Sequence, residues 1–489
     1  MTPTLDQACA TALSRPAAQP AIEFEGRWHG WGELRQLADQ LSSLLDASGA
    51  APGAPVVLVP RNQPSAIAAL LGLITGRRTV RMVYAFQAPA SLAHDLMRLR
   101  PAVAVLAAQD CSEPVLAALR EQGTAVISLD GLQARALPGL ERAGRAADAQ
   151  DPALPPRIEI LTSGTTGPPK QFAVDYELIA RHMVGPLAGD LSALPPSLLF
   201  FPLGNISGIY ATLPPLLKGQ RVVLAERFSV AGWHDYLLRY RPEASGLPPA
   251  GVQMVLDANL PREDLACLKR LGTGAAPLDP TVQRAFEERY GVPILLSYGA
   301  TEFGGPVTAM TLELHAQWGQ RKFGSVGRAL PGAQLRVIDP DSGEALPPGQ
   351  EGVLEVVSPR IGPDWIRTSD LAVLDEDGFL FHRGRRDGAI MRGGFKLLPE
   401  TIERALMLHP AVSAAAAVGV DDARLGQVPA VAVQFRPGLA ADTTELETHL
   451  RQHLPATHVP VHWRFVQELP RTPSLKVERP ALRRLFETG

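Results

Sequence analysis

The stretch Leu161-Thr162-Ser163-Gly164-Thr165-Thr166-Gly167-Pro168-Pro169-Lys170 packs four hydroxyl side chains and two glycines into residues 162–167 and ends on a lysine. It follows a short β-rich run at 157–161. Glycines let backbone N–H groups converge and hydroxyls add O–H donors, the composition needed to surround phosphate oxygens. The glycine spacing is wrong for a Walker A loop, and no Ser or Thr follows Lys170. For the loop alone, the plain alternative is a flexible Ser/Thr/Gly turn.

Upstream of this loop, β-rich runs alternate with helical patterns: 56–59 then 65–75, 80–84 then 92–98, 103–106 then 114–121. Such alternation predicts parallel strands with crossover helices. Further strands are expected at 157–161, 197–201, 221–224 and 294–297, separated by helices such as 281–290, which predicts two related α/β lobes. From 324 to 381 the pattern changes to strands without long helices, punctuated by Pro-Gly and Asp-Gly turns, so a small β subdomain is expected at about 324–384. After Gly384 the order is strand, helix (399–408), strand (412–420), strand (428–435), helix (443–454), strand (461–466) and a last helix. The fold class is therefore α/β: a large N-terminal domain, 1–384, of two α/β lobes plus the β subdomain, then a compact α+β domain, 385–489.

The chain has 489 residues, long enough for a large core, and its 46% hydrophobic and 20% charged residues disfavour disorder. Its 47 basic and 50 acidic side chains nearly cancel, so nothing in the charge calls for nucleic acid as partner. Cys9, Cys111 and Cys267 are scattered and odd in number, giving neither a disulfide framework nor a zinc spacing. The longest apolar run of note, 65–75, is short for a membrane span, and no leader pattern opens the chain. A soluble cytoplasmic protein is expected.

Residues 162–170 resemble the signature loop of the AMP-forming adenylating enzymes, the superfamily of acyl-CoA synthetases, adenylation domains and luciferases. Further matches follow in that family's order: 274–278 (Gly-Ala-Ala-Pro-Leu), 298–302 (Tyr-Gly-Ala-Thr-Glu), 368–370 (Thr-Ser-Asp), 384–387 (Gly-Arg-Arg-Asp), 393–395 (Gly-Gly-Phe), Pro399-Glu400 and 470–476 (Pro-Arg-Thr-Pro-Ser-Leu-Lys). Together they span the chain from about Trp31 to its end, and it looks most like an acyl- or aryl-CoA synthetase.

The resemblance implies roles. Thr162, Ser163, Gly164, Thr165, Thr166, Gly167 and Lys170 would hold the β- and γ-phosphates of ATP, and Thr301 would touch the α-phosphate. Glu302 would hold Mg2+, a hard cation that prefers carboxylate and phosphate oxygens. Tyr298 and Gly299 would meet adenine on one side, with Gly274, Ala275, Ala276 and Pro277 on the other. Asp370, helped by Arg385, would accept the ribose hydroxyls. Asp387 occupies the hinge about which a mobile C-terminal domain would swing between half-reactions. Lys476 resembles the catalytic lysine that stabilises charge near the α-phosphate. The position before it, usually glycine in the family, is Leu475. Arg471 and Arg479 read as solvated basic residues.

At 201–210 (Phe-Pro-Leu-Gly-Asn-Ile-Ser-Gly-Ile-Tyr), Gly204 and Asn205 replace the Phe and His of the common acyl-CoA synthetase form, so the acyl gate is built differently. Amino-acid-activating members tend to carry an Asp here to pair with the substrate ammonium, and residues 204–210 have no carboxylate. Asn205, Ile206, Ser207, Tyr210, Ser297, Ala300 and Phe303 are the acyl-pocket candidates, with ordinary packing as the alternative for each. Gly393, Gly394 and Phe395 resemble the CoA-ligase form of the region after the hinge. Arg77, Arg78 and Arg81 read as a solvated basic edge in preference to a site for an anionic CoA phosphate.

The expected reaction is ATP-dependent activation of a small-molecule carboxylic acid, aromatic or bulky and hydrophobic, followed by thioester formation with coenzyme A. The alternative acceptor is the phosphopantetheine thiol of an acyl carrier protein; a non-catalytic nucleotide-binding protein is the bland alternative. A monomer or homodimer is expected.

Overall fold

A computed structural model describes residues 3–51, 53–144, 154–162, 170–185, 191–386, 388–393, 395–472 and 475–487. They form two compact units, Met1–Pro242 and Glu243–Gly489.

The first unit is built on a sheet of seven strands in the order Gln133–Ala136, Ala125–Asp130, Val103–Ala107, Val56–Val59, Val80–Met82, Arg157–Thr162, Lys170–Asp175. Its middle pairs are parallel and each edge is closed by an antiparallel strand. Alternation along the strands serves two cores. Val56, Leu58, Val103 and Val105 face one, with helices Trp31–Ala47 and Pro64–Thr75; Val57, Val59, Ala104 and Leu106 face the other, with helices Pro89–Leu99 and Glu113–Glu121. Gly72 lets two helices close up, since an added Cβ would lie 2.9 Å from the Ala38 methyl.

The strands expected to form one second lobe are distributed over three sheets. Arg157–Thr162 joins the seven-stranded sheet. Ser197–Leu199 and Val222–Leu224 pair with each other and then with the N-terminal hairpin Pro20–Phe24 and Arg27–Gly30. Ile294–Ala300 belongs to the second unit. Periodicity states which face of a strand is apolar and leaves its partner open.

In the second unit, Ala244–Gly246, Arg270–Thr273 and Ile294–Ala300 run parallel, and the sheet continues antiparallel through Gly305–Ala309 and Arg328–Ala329. An antiparallel meander follows, Gln334–Ile338, Glu351–Val357, Ile366–Leu374 and Leu380–Arg385. Then come helix Pro399–Met407, strands Val412–Asp422 and Gly426–Phe435, helix Thr443–His453, strand His462–Val466 and helix Arg479–Glu487, in the order expected. Val431 and Val433 face the two earlier helices, while Ala430 and Ala432 face Leu469 and Leu482.

Among the described residues, no helix is long and apolar enough to cross a membrane.

Candidate active site

In the first unit the strands on either side of the expected phosphate loop pair with each other. Thr162 lies opposite Lys170 in the antiparallel pair Arg157–Thr162 and Lys170–Asp175, which fixes where the backbone leaves and re-enters. Ser163, Gly164, Thr165, Thr166 and Gly167 lie outside the described residues.

The 201–210 segment is held from below by Asn62, which is 1% exposed. Its Nδ2 donates to the carbonyls of Phe201 (3.1 Å) and Ala225 (3.3 Å), and its Oδ1 accepts from the Leu203 N–H at 3.0 Å. Gly208 follows from close approach, since an added Cβ would lie 2.1 Å from the Pro202 carbonyl oxygen. Asn205 precedes helix Ile206–Leu217, and its side chain caps none of the helix N–H groups. Ile206 and Tyr210 pack partly against the main core, and Ser207 is half-buried.

The three early arginines are committed to carboxylates. Arg77 pairs with Asp6 at 3.2 Å, Arg78 with Asp46 at 3.7 Å, and Arg81 with Glu159 at 2.7 Å. Glu159 is buried and also receives Arg157 at 2.8 Å. This edge is ion-paired, neither open to an anion nor simply solvated.

In the second unit, the loop after strand Arg270–Thr273 runs beside strand Ile294–Ala300. A side chain at Gly274 would place its Cβ 2.5 Å from the Ser297 hydroxyl, and at Gly299 only 2.4 Å from the Pro306 Cα, so both must be glycine. Ala275 adopts a left-handed φ of 67°, turning the chain into Ala276 and Pro277. Ser297 donates to the Thr273 carbonyl at 3.3 Å, and Ala300 ends the strand ahead of the 3-10 turn Thr301–Phe303.

Tyr298 and Asp370 are joined directly: the phenol donates to Oδ2 of Asp370, while His382 Nε2 lies 3.4 Å from Oδ1. Asp370 stands opposite Arg385 in the antiparallel pair, and Arg385 donates to the Ser369 hydroxyl at 2.7 Å. Burial pushes the Asp370 carboxyl up, yet His382, Tyr298 and Arg385 outweigh it and hold the pKa below the ordinary value. Burial first, then Asp370, drives the Tyr298 phenol well above its ordinary range, so it remains a donor. His382 was not anticipated; its signal was its place on the strand beside Asp370.

Phe303 is 2% exposed and packs with Val307, Leu354, Val356, Ala372 and Leu380. The ring is thus part of the core beside Tyr298 and Ala300. Thr301 is half-buried and Glu302 exposed on the same turn.

Lys476 is exposed by surface area, yet surrounding protein lowers its pKa. Desolvation is the main cause; the Glu302 carboxylate opposes it and the Arg385 guanidinium adds to it. Lys476 is thus within electrostatic reach of both. Its loop is tied by the Thr472 N–H to the Lys476 carbonyl at 2.8 Å, and by the Lys476 N–H to the Thr472 hydroxyl at 3.2 Å. Leu475 stands at a left-handed φ of 61°, a conformation that costs a non-glycine residue about 1 to 2 kcal/mol.

The two downstream arginines are engaged with protein groups. Arg471 is part-buried, which pulls its pKa down against Glu468, and its Nη1 donates to the Leu475 carbonyl at 3.0 Å. Arg479 reaches Glu400 at 3.2 Å, Glu403 at 3.6 Å and the Ala417 carbonyl at 2.8 Å. Gly393 has φ 55° and donates to the Leu425 carbonyl at 2.7 Å; strand Phe395–Leu397 follows. Asp387 and Gly394 lie outside the described residues.

The sequence model of the AMP-binding enzymes matches residues 9–363, and that of the AMP-binding enzyme C-terminal domain matches 401–476. The chain belongs to the AMP-binding enzyme family. It is 32% identical to the sulfoacetate–CoA ligase of Cupriavidus necator, over 92% of this chain and 91% of that one. It is 29% identical to the indoleacetate–CoA ligase of Aromatoleum aromaticum, over 95% and 94%. The fold matches ATP-bound MatB from Rhodopseudomonas palustris with a TM-score of 0.81 at 24% identity, covering 100% of this chain and 99% of that one.

An AMP-binding enzyme needs a divalent cation on its nucleotide, and the donor set fits Mg2+. Among the described residues, no group of three or more His, Cys, Asp or Glu could hold a metal without other ligands. Glu302 offers one exposed carboxylate, which suits an ion that keeps waters and takes its remaining ligands from substrate phosphates.

Proposed function

We propose that the protein activates a carboxylic acid with ATP and transfers the acyl group to coenzyme A. A carboxylate oxygen attacks the α-phosphorus and the bond to pyrophosphate breaks, leaving acyl-AMP. The CoA sulfur, having lost its proton, then attacks the acyl carbon, and the bond to AMP breaks. The observation that carries this is the gathering of Tyr298, Asp370, Arg385, Glu302 and Lys476 in one unit. In this reading Asp370 is the carboxylate for ribose, Glu302 the carboxylate for the metal and Lys476 the cation for the α-phosphate. Neither step needs a protein nucleophile; positioning and charge stabilisation suffice.

In this reading Lys476 stabilises charge at the α-phosphate, and Thr162, Ser163, Thr165, Thr166 and Lys170 hold the β- and γ-phosphates. Gly274–Pro277 and Tyr298 flank adenine. Mg2+, when bound through Glu302, neutralises phosphate charge. Residues 385–489 act as the mobile domain, turning at Asp387. Asn205, Ile206, Ser207, Tyr210, Ser297 and Ala300 shape the acyl site for an aromatic or bulky apolar acid. The absence of a carboxylate at 204–210 supports this over an α-amino acid, whose unpaired ammonium would cost several kcal/mol to bury. The indole ring in the substrate of the Aromatoleum aromaticum relative agrees, whereas the sulfoacetate of the Cupriavidus necator relative is small and anionic. The same reading puts the protein in the cytoplasm as a monomer or homodimer, in keeping with its free cysteines.

The test is exchange of labelled pyrophosphate into ATP over a panel of aromatic, alicyclic, fatty and amino acids, with CoA or a carrier protein added to measure transfer. Exchange with an aromatic or bulky acid, and thioester formation with CoA, is expected. No exchange with any acid defeats the reading, and transfer only to the carrier protein replaces the acceptor.

A further inference from the structure

The Lys476 loop contains a conflict between sequence and backbone. Leu475 sits at φ 61°, where a Cβ crowds the chain, and the next residue is the lysine on which adenylation is proposed to depend. A leucine left to itself would return to negative φ and re-aim Lys476.

The loop's own backbone bonds, from the Thr472 N–H to the Lys476 carbonyl at 2.8 Å and from the Leu475 N–H to the Thr472 carbonyl at 2.7 Å, oppose that return, and further contacts add to them. Arg471 and Val477 form an antiparallel bridge across the base of the loop. From there the Arg471 side chain turns inward, and its Nη1 donates to the carbonyl of Leu475 itself at 3.0 Å. That carbonyl belongs to the peptide joining Leu475 to Lys476, so the bond fixes the plane from which Lys476 departs. The Thr472 hydroxyl, accepting from the N–H of the same peptide at 3.2 Å, holds its other side.

We propose that Arg471 is a positioning residue for adenylation, holding the Leu475–Lys476 peptide in a left-handed turn that leucine disfavours. The inference rests on the reading of Lys476 as the adenylation lysine. It adds a dependence heightened in this chain: with glycine at 475 the turn would be unstrained and would lean less on the arginine. Arg471 touches no reacting atom in this account, so its loss lowers turnover without weakening substrate binding.

The experiment is a double-mutant cycle with Arg471→Ala and Leu475→Gly, read by pyrophosphate exchange, by thioester formation from supplied acyl-AMP and CoA, and by melting temperature. Arg471→Ala should lower the exchange kcat roughly 10- to 100-fold, the scale of a misplaced catalytic group, with KM for ATP and acid within about twofold. Acyl transfer from supplied acyl-AMP should stay near the parent rate. Adding Leu475→Gly should restore most of the lost exchange. Should Arg471→Ala fail to fold, Arg471→Lys gives the same contrast: a smaller loss in the parent, removed by Leu475→Gly. Equal loss of both half-reactions, a rise in KM for ATP, or no restoration by glycine overturns the proposal. Absence of exchange in the parent would instead count against adenylation itself.

Discussion

The Asn62 amide meets three backbone groups from two separate segments: the Phe201 and Ala225 carbonyls and the Leu203 N–H. Two of them, Phe201 and Leu203, belong to the proposed acyl segment 201–210, while Asn62 belongs to none of the motifs that mark the nucleotide site. In Asn62→Ala these groups lose their partner inside the protein, at about 1 to 3 kcal/mol each. The variant should melt at a lower temperature and show a raised KM for the acid, with KM for ATP close to the parent. A parallel rise in both constants would show that Asn62 supports the fold without shaping the acyl segment. Little in the sequence announced this residue, because a buried asparagine is recognised by what surrounds it. The packing of Phe303 is hidden from the sequence for the same reason: its neighbours Leu354, Ala372 and Leu380 arrive from the meander far along the chain.

At the scale of elements, helix Pro399–Met407 carries Glu400 and Glu403 against Arg479, on the last helix, and strand Val412–Asp422. Glu403 is pushed up to about 7 from 4.5: burial raises it, with Glu400 adding, while Arg479, the Ala417 N–H and Arg404 oppose. Because the folded value lies above the unfolded one, the stability it contributes is fully present below pH 4.5 and is lost as pH rises through about 7. Glu403→Gln should therefore match the parent's melting temperature under acid conditions and exceed it at about pH 8. A variant less stable than the parent at about pH 8 would mean that the charged carboxylate is needed by Arg479. The order of elements in this region was legible because each strand alternates cleanly and each helix is amphipathic. The ion pairs were not, since Arg479 and its acids lie far apart in sequence. The ion pairs of Arg77, Arg78 and Arg81 are likewise hidden from the sequence, because Asp6, Asp46 and Glu159 are remote from them in the chain.

At the scale of the whole molecule, the ordered motifs carried the family, because they are local signals of turn chemistry and phosphate binding. Strand partnership was not local: the N-terminal hairpin joins strands almost two hundred residues away, at 197–199 and 222–224. The same division governs mechanism, for residues of the nucleotide site can be named one by one while alternation between half-reactions belongs to the chain as a whole. With residue 387 as the proposed hinge, a proline there would fix φ, so Asp387→Pro should leave pyrophosphate exchange largely intact and obstruct acyl transfer to CoA. Loss of exchange alone would remove residue 387 from the hinge role.

The most direct measurement is the pair of half-reactions in Lys476→Ala, with acyl-AMP formation and the conversion of supplied acyl-AMP and CoA to thioester followed separately. With Lys476 near Glu302 and Arg385 and serving only the first step, acyl-AMP formation should fall roughly 100-fold or more, the scale of removing a preorganised charge stabiliser. Thioester formation should continue near the parent rate. Equal loss in both steps, or no loss in the first, would contradict the account.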